Sequence, residues 1–291
     1  MVYSTPLYRP PSEASSLILQ ITHGCSHNAC TFCGMYKEKK FYIKSLKEIK
    51  SHIDELANDP RIIKRIFLAD GNALAVDTDT LVKTLNYIKE KFPNVERISI
   101  YAGPKDVLDK TDKELKTLGE NGLELYYLGI ESGSDKILKM VNKGVTVEEM
   151  IEAGQKIMNN DLKLSATIIL GLGGKELIKE HAVETAKVTN KINPTYLGAL
   201  TLMVDPRSSL HKKIEKGEFQ PLDSVEILQE LEILLENFEL ENTVFRSNHA
   251  SNYLPLKGTL NKDRDKLLDM IRSALKNPKK AGLRPDHLRG L

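Results

Sequence analysis

"SLILQITHGCSHNACTFC" (residues 16–33) joins a short apolar run to a loop that holds Cys25, Cys30 and Cys33, all the cysteine in the 291-residue chain. The run at 16–22 is rich in Leu and Ile and reads as a strand that ends just before the thiols. Runs of the same kind recur at "RIFLA" (65–69), "RISIY" (97–101), "LYYLGI" (125–130), "LSATIIL" (164–170) and "YLGALTLM" (196–203). Helical spacing fills the gaps: Leu46, Ile49, Ile53 and Leu56 form one stripe, and Leu81, Leu85, Ile88 and Phe92 another. Thr111 with Glu114, and Thr146 with Glu149, have the spacing of reciprocal helix caps. Six strand–helix alternations predict a parallel sheet covered by helices, either open and doubly wound or a full or partial TIM-type barrel. Both arrangements gather chemistry at the C-terminal ends of the strands.

Five loops at those ends carry polar or glycine-rich sequence. They are the cysteine loop, Asp70-Gly71-Asn72, "ESGSD" (131–135), "GLGGKE" (171–176) and "VDPRSS" (204–209). Each glycine taken singly is a turn residue; five such loops on one rim, with every cysteine, form a candidate site. The C-x4-C-x2-C spacing suits convergence on a metal better than a disulfide framework, because three is odd and the spacing tight. Two metal readings follow: a structural zinc completed by His23 or His27, or a 4Fe–4S cluster held by three thiolates with one iron left open.

Composition narrows the class. Charge is balanced, 42 basic against 40 acidic residues, for a net of +2. That argues against a general nucleic-acid or membrane-surface binder. The start, "MVYSTPLYRPPSEASS", lacks a signal peptide's apolar stretch, and no run suits a membrane span. The expectation is a cytoplasmic, soluble protein in a reducing compartment.

With these motifs in view, the chain resembles the radical SAM superfamily from about residue 16 to 210. The family signature is C-x3-C-x2-C with an aromatic residue before the last cysteine; Phe32 fills that place, and the first gap here is one residue longer. The family's Gly-Gly-Glu motif is replaced by Asp70-Gly71-Asn72. "GIESGSDKILKMVNKGVT" (129–146) is similar to the ribose-motif segment, and "IILGLGGKE" to the fifth-strand segment.

The resemblance implies two cofactors, a 4Fe–4S cluster on Cys25, Cys30 and Cys33 and S-adenosylmethionine (SAM). It also implies reductive cleavage of SAM to methionine and a 5′-deoxyadenosyl radical that abstracts hydrogen from a substrate. By the same likeness Asp70, Gly71 and Asn72 would receive the SAM amino group. Glu131 would face the ribose hydroxyls, with Ser132 near the methionyl end. Gly171 would be a further cofactor-binding residue, and the backbone of Leu202, Met203 and Val204 would offer groups to the adenine edge.

The fold class expected is α/β, a partial (β/α)6 TIM-type barrel with a C-terminal strand and helix extension. Its divisions would be an arm (1–15), the core (16–212) and an extension covering the barrel mouth (213–291). In that extension Arg246, His249, Asn252 and Tyr253 are the substrate candidates, and Arg246 suggests an anionic group. The leading reading is an enzyme acting on a small-molecule substrate, reduced by a flavodoxin or ferredoxin, with nucleic acid disfavoured and no membrane partner. The alternatives are a radical SAM enzyme modifying nucleic acid or protein, and a non-catalytic Fe–S or zinc protein.

Overall fold

The computed structural model describes residues 3–58 and 61–290. Residues 1 and 2 of the expected arm, and residue 291 of the expected extension, lie outside the described residues. In chain order the elements are β1 (Leu17–Gln20), β2 (Thr22–His23), β3 (Tyr42–Ile43), α1 (Leu46–Ala57), β4 (Arg65–Ala69), α2 (Thr78–Lys91), β5 (Arg97–Ala102), α3 (Pro104–Asp109), α4 (Asp112–Glu120), β6 (Leu123–Glu131), α5 (Asp135–Met140) and α6 (Val147–Asn159). There follow β7 (Lys163–Leu170), α7 (Ile178–Ile192), β8 (Tyr196–Thr201), α8 (Ser209–Glu215), α9 (Ser224–Asn237), β9 (Val244–Ser247), β10 (Leu256–Thr259) and α10 (Arg264–Lys276). The caps read from sequence form: Thr111 and Glu114 bond reciprocally, as do Thr146 and Glu149, and Ser45 and Asp223 start α1 and α9 in the same way. Each such cap contributes about 1 kcal/mol.

The main sheet has the strand order β1-β4-β5-β6-β7-β8-β9-β10. β1–β4, β4–β5, β5–β6, β7–β8 and β8–β9 are parallel, and β9–β10 is antiparallel. Six of these strands are the six expected, and the mostly parallel α/β architecture is that of a partial TIM-type barrel. β9 adds a seventh parallel strand after β8. β2 and β3 form a separate two-stranded hairpin.

The chain divides into two compact units, Met1–Asn28 with Met35–Leu128 and Lys156–Leu164, and Ala29–Gly34 with Gly129–Gln155 and Ser165–Leu291. In the first, β1 and β4 are buried on both faces, as strands sandwiched in a parallel sheet must be. Ile18, Phe67, Ala69, Leu125 and Tyr127 form one core cluster, with Tyr3, Leu7 and Tyr101 packed on it. The Phe67 ring meets Tyr101 and Tyr127 edge-on at 4.7 and 5.7 Å. α1 and α2 supply the stripes read from sequence: Ile49, Ile53, Leu56, Leu81, Leu85 and Ile88 are all buried. Glu13, fully buried, ties the N-terminal segment to this unit by accepting from Arg97 (2.7 Å) and the Tyr127 hydroxyl (2.6 Å).

In the second unit β7 and β8 alternate in burial. Ala166, Ile168, Leu197 and Ala199 are buried, whereas Ser165, Thr167, Ile169, Gly198 and Leu200 stay half-exposed. The register pairs Thr167 with Gly198 and Gly198 with Arg246, so Arg246 lies in the half-exposed row. The neighbouring position on β9, Phe245, is fully buried and packs on Phe238 after α9.

Candidate functional site

The first unit contains Cys25 and the Asp70-Gly71-Asn72 loop, and brings them together. Cys25 follows β2 and is half-buried. Gly71 lies against it: a Cβ at Gly71 would sit 2.5 Å from the Tyr36 ring and 3.0 Å from the Cys25 Cβ. No side chain fits there, which accounts for glycine at the centre of the loop.

Asp70, at the end of β4, is fully buried. Its Oδ2 accepts from the Lys39 ammonium (2.9 Å) and the Gly24 N–H (3.1 Å), and its Oδ1 from the Gln20 amide (3.1 Å). The carboxylate is thus engaged on both oxygens by the strand and loop around Cys25. Asp70 anchors that loop, and it does not present a free oxygen to a bound ammonium.

Asn72 is nearly buried and bridges three groups. Its Oδ1 accepts from the Gly103 N–H (2.8 Å), and its Nδ2 donates to Ser26 Oγ (2.6 Å) and to the Asp106 carboxylate. One lone pair of Oδ1 remains, since an amide oxygen has two. Asp106, in the first turn of α3, is partly exposed beside it. Sequence reasoning missed Asp106 and Lys39. Both lie outside any recognisable motif string, and the fold carries them in.

The second unit contains Cys30 and Cys33. Its segment Ala29–Gly34 is held at both sides: Thr31 N–H donates to the Val141 carbonyl (2.9 Å), Leu210 N–H donates to the Thr31 carbonyl (2.9 Å), and the Asn142 amide donates to the Ala29 carbonyl (3.2 Å). Phe32 packs on the cluster of Ile137, Val141 and Leu172. The aromatic place in the signature therefore plugs the cysteine loop into the core. None of the three cysteines is in a disulfide and all are partly exposed. Among the described residues no group of three or more His, Cys, Asp or Glu side chains is gathered as a ready-made metal site. The donor set itself, three thiols without a fourth, fits a cluster with one open iron better than a closed tetrahedron.

Glu131 ends β6 in a left-handed conformation, with φ of 64°. Its Oε1 accepts from Lys143 Nζ at 2.9 Å, with each side chain 12% exposed. A Cβ at Gly129 would overlap the Glu131 carboxylate, so glycine there makes room for the pair. Ser132 is fully buried, and its hydroxyl accepts from the Ser134 N–H at 3.2 Å.

Gly171 follows β7, and its N–H donates to Glu230 Oε2 (2.6 Å). Glu230 Oε1 meets His181 Nδ1 at 2.5 Å, and His181 Nε2 reaches the Glu131 carbonyl at 3.3 Å. This buried pair, from α9 and α7, ties the Glu131 and Gly171 loops together. No local pattern announces it, because its members are 49 residues apart. Met203 and Val204 lie half-buried in the coil after β8; beside them the Leu202 carbonyl accepts from Arg289 at 3.1 Å.

The four substrate candidates separate. Arg246 is exposed on β9 and donates to the Phe245 carbonyl (2.8 Å). His249 Nδ1 meets the Ser251 hydroxyl at 2.9 Å, and burial with the Arg284 cation lowers its pKa. Asn252 is buried between Thr201 Oγ1 (2.8 Å) and the Ala199 carbonyl (2.9 Å). Tyr253 donates to Asp286 (2.7 Å), and burial pushes its hydroxyl up to about 12. Arg284 holds the 249–252 backbone through the His249, Ala250 and Asn252 carbonyls. His249 and Tyr253 are thus engaged within the extension and Asn252 with β8; Arg246 is the most exposed of the four.

Comparison with known proteins agrees with this geometry. The Radical SAM superfamily profile matches residues 19–187, more than half of the chain. A tRNA-2-methylthio-N(6)-dimethylallyladenosine synthase of Natranaerobius thermophilus is 29% identical over 246 residues, covering 78% of this chain and 51% of that protein. A putative methylthiotransferase of Methanocaldococcus jannaschii is 24% identical over 233 residues, covering 72% and 50%. The chain therefore spans about half the length of these curated relatives. Among solved structures, coproporphyrinogen III oxidase of Escherichia coli superposes with a TM-score of 0.58 at 18% identity, over 76% of this chain and 52% of that one. Methylornithine synthase gives 0.54 at 17%, over 86% and 76%. At these identities the structures speak to the fold. No helix among the described residues is long and apolar enough to cross a membrane. From its sequence, its fold and these matches, the chain belongs to the radical SAM superfamily and is an enzyme that uses a 4Fe–4S cluster and S-adenosylmethionine.

Proposed function

We propose that Cys25, Cys30 and Cys33 hold the cluster through their thiolates, and that the enzyme abstracts hydrogen from a nucleoside in RNA. The observation that carries the first part is that every cysteine of the 291 residues lies in one C-x4-C-x2-C run inside the matched span. Bound there, cluster and SAM supply one-electron cleavage of the sulfonium and a carbon radical that takes a hydrogen atom. The chain's own residues bind and orient. Asn72 Oδ1 and the neighbouring Asp106 carboxylate accept from the SAM ammonium, restoring the negative charge that the family's Glu supplies. Glu131 accepts from the ribose hydroxyls while Lys143 restrains it. Gly171 and the 202–204 backbone line the adenine. A reductant of the flavodoxin or ferredoxin class and a cytoplasmic setting suit this chemistry.

The substrate class rests on the relatives, two of which are named for methylthio transfer, one of them on tRNA. The expectation from balanced charge, a small molecule with nucleic acid disfavoured, gives way here. Net charge averages over all faces and does not report a local patch. Methylthio transfer itself is not part of the proposal, because no cysteine in these 291 residues remains for a second cluster. A second reading, a small anionic substrate, is favoured by Arg246 on the half-exposed face of β9.

Anaerobic reconstitution of the full chain, followed by incubation with SAM and dithionite, tests both parts. About four irons and four sulfides per chain are expected, with 5′-deoxyadenosine formation stimulated by bulk tRNA. A Cys25/Cys30/Cys33→Ala triple variant that keeps its cluster overturns the ligand assignment. Stimulation by the small-molecule fraction of a cell extract, and not by tRNA, overturns the substrate assignment in favour of the second reading.

A further inference from the structure

Residues 37–50 carry six lysines against two glutamates, a local excess of four positive charges in a chain whose net is +2. The segment includes β3, which pairs with β2 so that His23 faces Tyr42 and Thr22 faces Ile43. Tyr42 and Ile43 are 46% and 43% exposed. The His23 ring stacks on Tyr42 with centroids 5.1 Å apart and planes 22° apart. Both imidazole nitrogens are engaged, Nδ1 with the Lys40 carbonyl (3.0 Å) and Nε2 with Ser4 Oγ (2.8 Å), so the imidazole is fixed in orientation. The imidazole in turn backs the Tyr42 ring, which keeps nearly half of its residue surface exposed.

Several of the lysines have inside work. Lys39 pairs with Asp70, Lys37 donates to the Asn28 carbonyl, and Lys50 lies over Tyr87. Lys40 and Lys47 stay exposed, and Lys44 is half-buried between them in sequence. A preorganised, half-exposed aromatic ring with exposed lysines near it in sequence offers what single-stranded nucleic acid requires: a π-face for a base and cations for its phosphates. An apolar protein partner would leave the lysines unmatched, and a carboxylate-rich one would leave the ring unmatched.

We infer that the β2–β3 hairpin is a docking surface for single-stranded RNA, on which Tyr42 stacks a base and Lys40 and Lys47 contact phosphates. The inference rests on the proposed RNA substrate and adds where the RNA is gripped. β2 runs straight into the cysteine loop, with His23 two residues before Cys25, a reach of about 7 Å. A strand held on Tyr42 therefore passes beside the loop proposed to hold the cluster.

The test is fluorescence anisotropy with a labelled 12-nucleotide single-stranded RNA and the full chain. Tyr42→Ala should weaken binding by about 5- to 150-fold, the loss of one stacked base, and Tyr42→Phe should retain it. Lys40→Gln with Lys47→Gln should flatten the salt dependence by roughly 1.4 in slope, for two phosphate contacts to a single strand. All three positions are exposed, so unchanged melting temperatures should accompany these effects. Wild-type binding that the variants leave intact overturns the hairpin while leaving the RNA reading standing. No binding by the wild type at low salt overturns both. Hairpin-dependent binding to vesicles of anionic phospholipid, without RNA binding, makes the surface a membrane contact and overturns the inference.

Discussion

Replacing Asp70 with Asn should destabilise the protein more than any other single change near the cysteine loop. The substitution keeps the shape and removes the charge. Lys39, 4% exposed in its side chain, would be left with the Ser4 carbonyl (2.8 Å) and the Tyr36 ring (5.6 Å to its centroid) as partners. Gly24 N–H, Lys39 Nζ and Gln20 Nε2 are all donors, and an amide offers one acceptor where the carboxylate offered two. Breaking a buried pair from one side costs about 3–5 kcal/mol, because the remaining charge stays desolvated. Unfolding entropy scaled to this length gives a fall in Tm of roughly 5–8 °C, measurable by thermal denaturation. The Gly24 amide should also exchange with deuterium faster. The Asp70→Asn/Lys39→Met double variant should recover about 2–3 kcal/mol relative to additive losses, because no buried cation remains. A cost below about 1 kcal/mol for Asp70→Asn, with Gly24 exchange unchanged, would refute the anchoring role.

Three further outcomes are expected. Asp106→Asn should weaken SAM binding by roughly tenfold or more, the loss of one charge-assisted bond, measured by equilibrium dialysis with the cluster intact; unchanged affinity removes Asp106 from the ammonium site. Glu131→Gln should lower SAM affinity similarly with a small change in Tm, whereas a large fall in Tm at full affinity would make its pair with Lys143 purely structural. Burial and the Lys44 cation push the pKa of His52 down to about 4 from 6.5. The unfolded state then binds the extra proton between these values, so stability is full above pH 6.5 and falls as pH drops toward 4; urea midpoints should follow that curve, and His52→Leu should flatten it.

How much of this was legible in the sequence follows from the range of each signal. The six strands announce themselves by composition over a few residues, and the Thr111 and Thr146 caps by a spacing of three. β7 was less plain. "LSATIIL" reads as a uniformly apolar run, yet Ser165, Thr167 and Ile169 stay half-exposed while Leu164, Ala166 and Ile168 are buried. Small Ser and Ala disguise an alternation that larger polar residues would have shown. The β2–β3 hairpin was invisible, because two-residue strands carry no period. The link from Glu230 through His181 to Glu131 depends on two helices and a strand end far apart in sequence, and no local pattern encodes it.

The departure at Asp70-Gly71-Asn72 shows why a motif compared letter by letter misplaces charge. Read as a string, the loop has lost the Glu of Gly-Gly-Glu and gained an Asp two positions earlier, which invites Asp70 as the substitute. Burial excludes that exchange: the Asp70 charge is matched to Lys39, its oxygens are occupied by donors, and none of it reaches solvent. Asn72 is neutral, but its Nδ2 grips Asp106, a carboxylate delivered by the helix after the next strand and partly open to solvent. In the proposed ammonium site, an amide that positions a neighbouring carboxylate would supply the dipole and negative charge expected of one glutamate. On the proposed reading the charge has moved to another element, to the Asp106 carboxylate that the Asn72 amide holds beside the strand end. A charge transferred in this way can be read from distances and burial, and not from the spacing of letters.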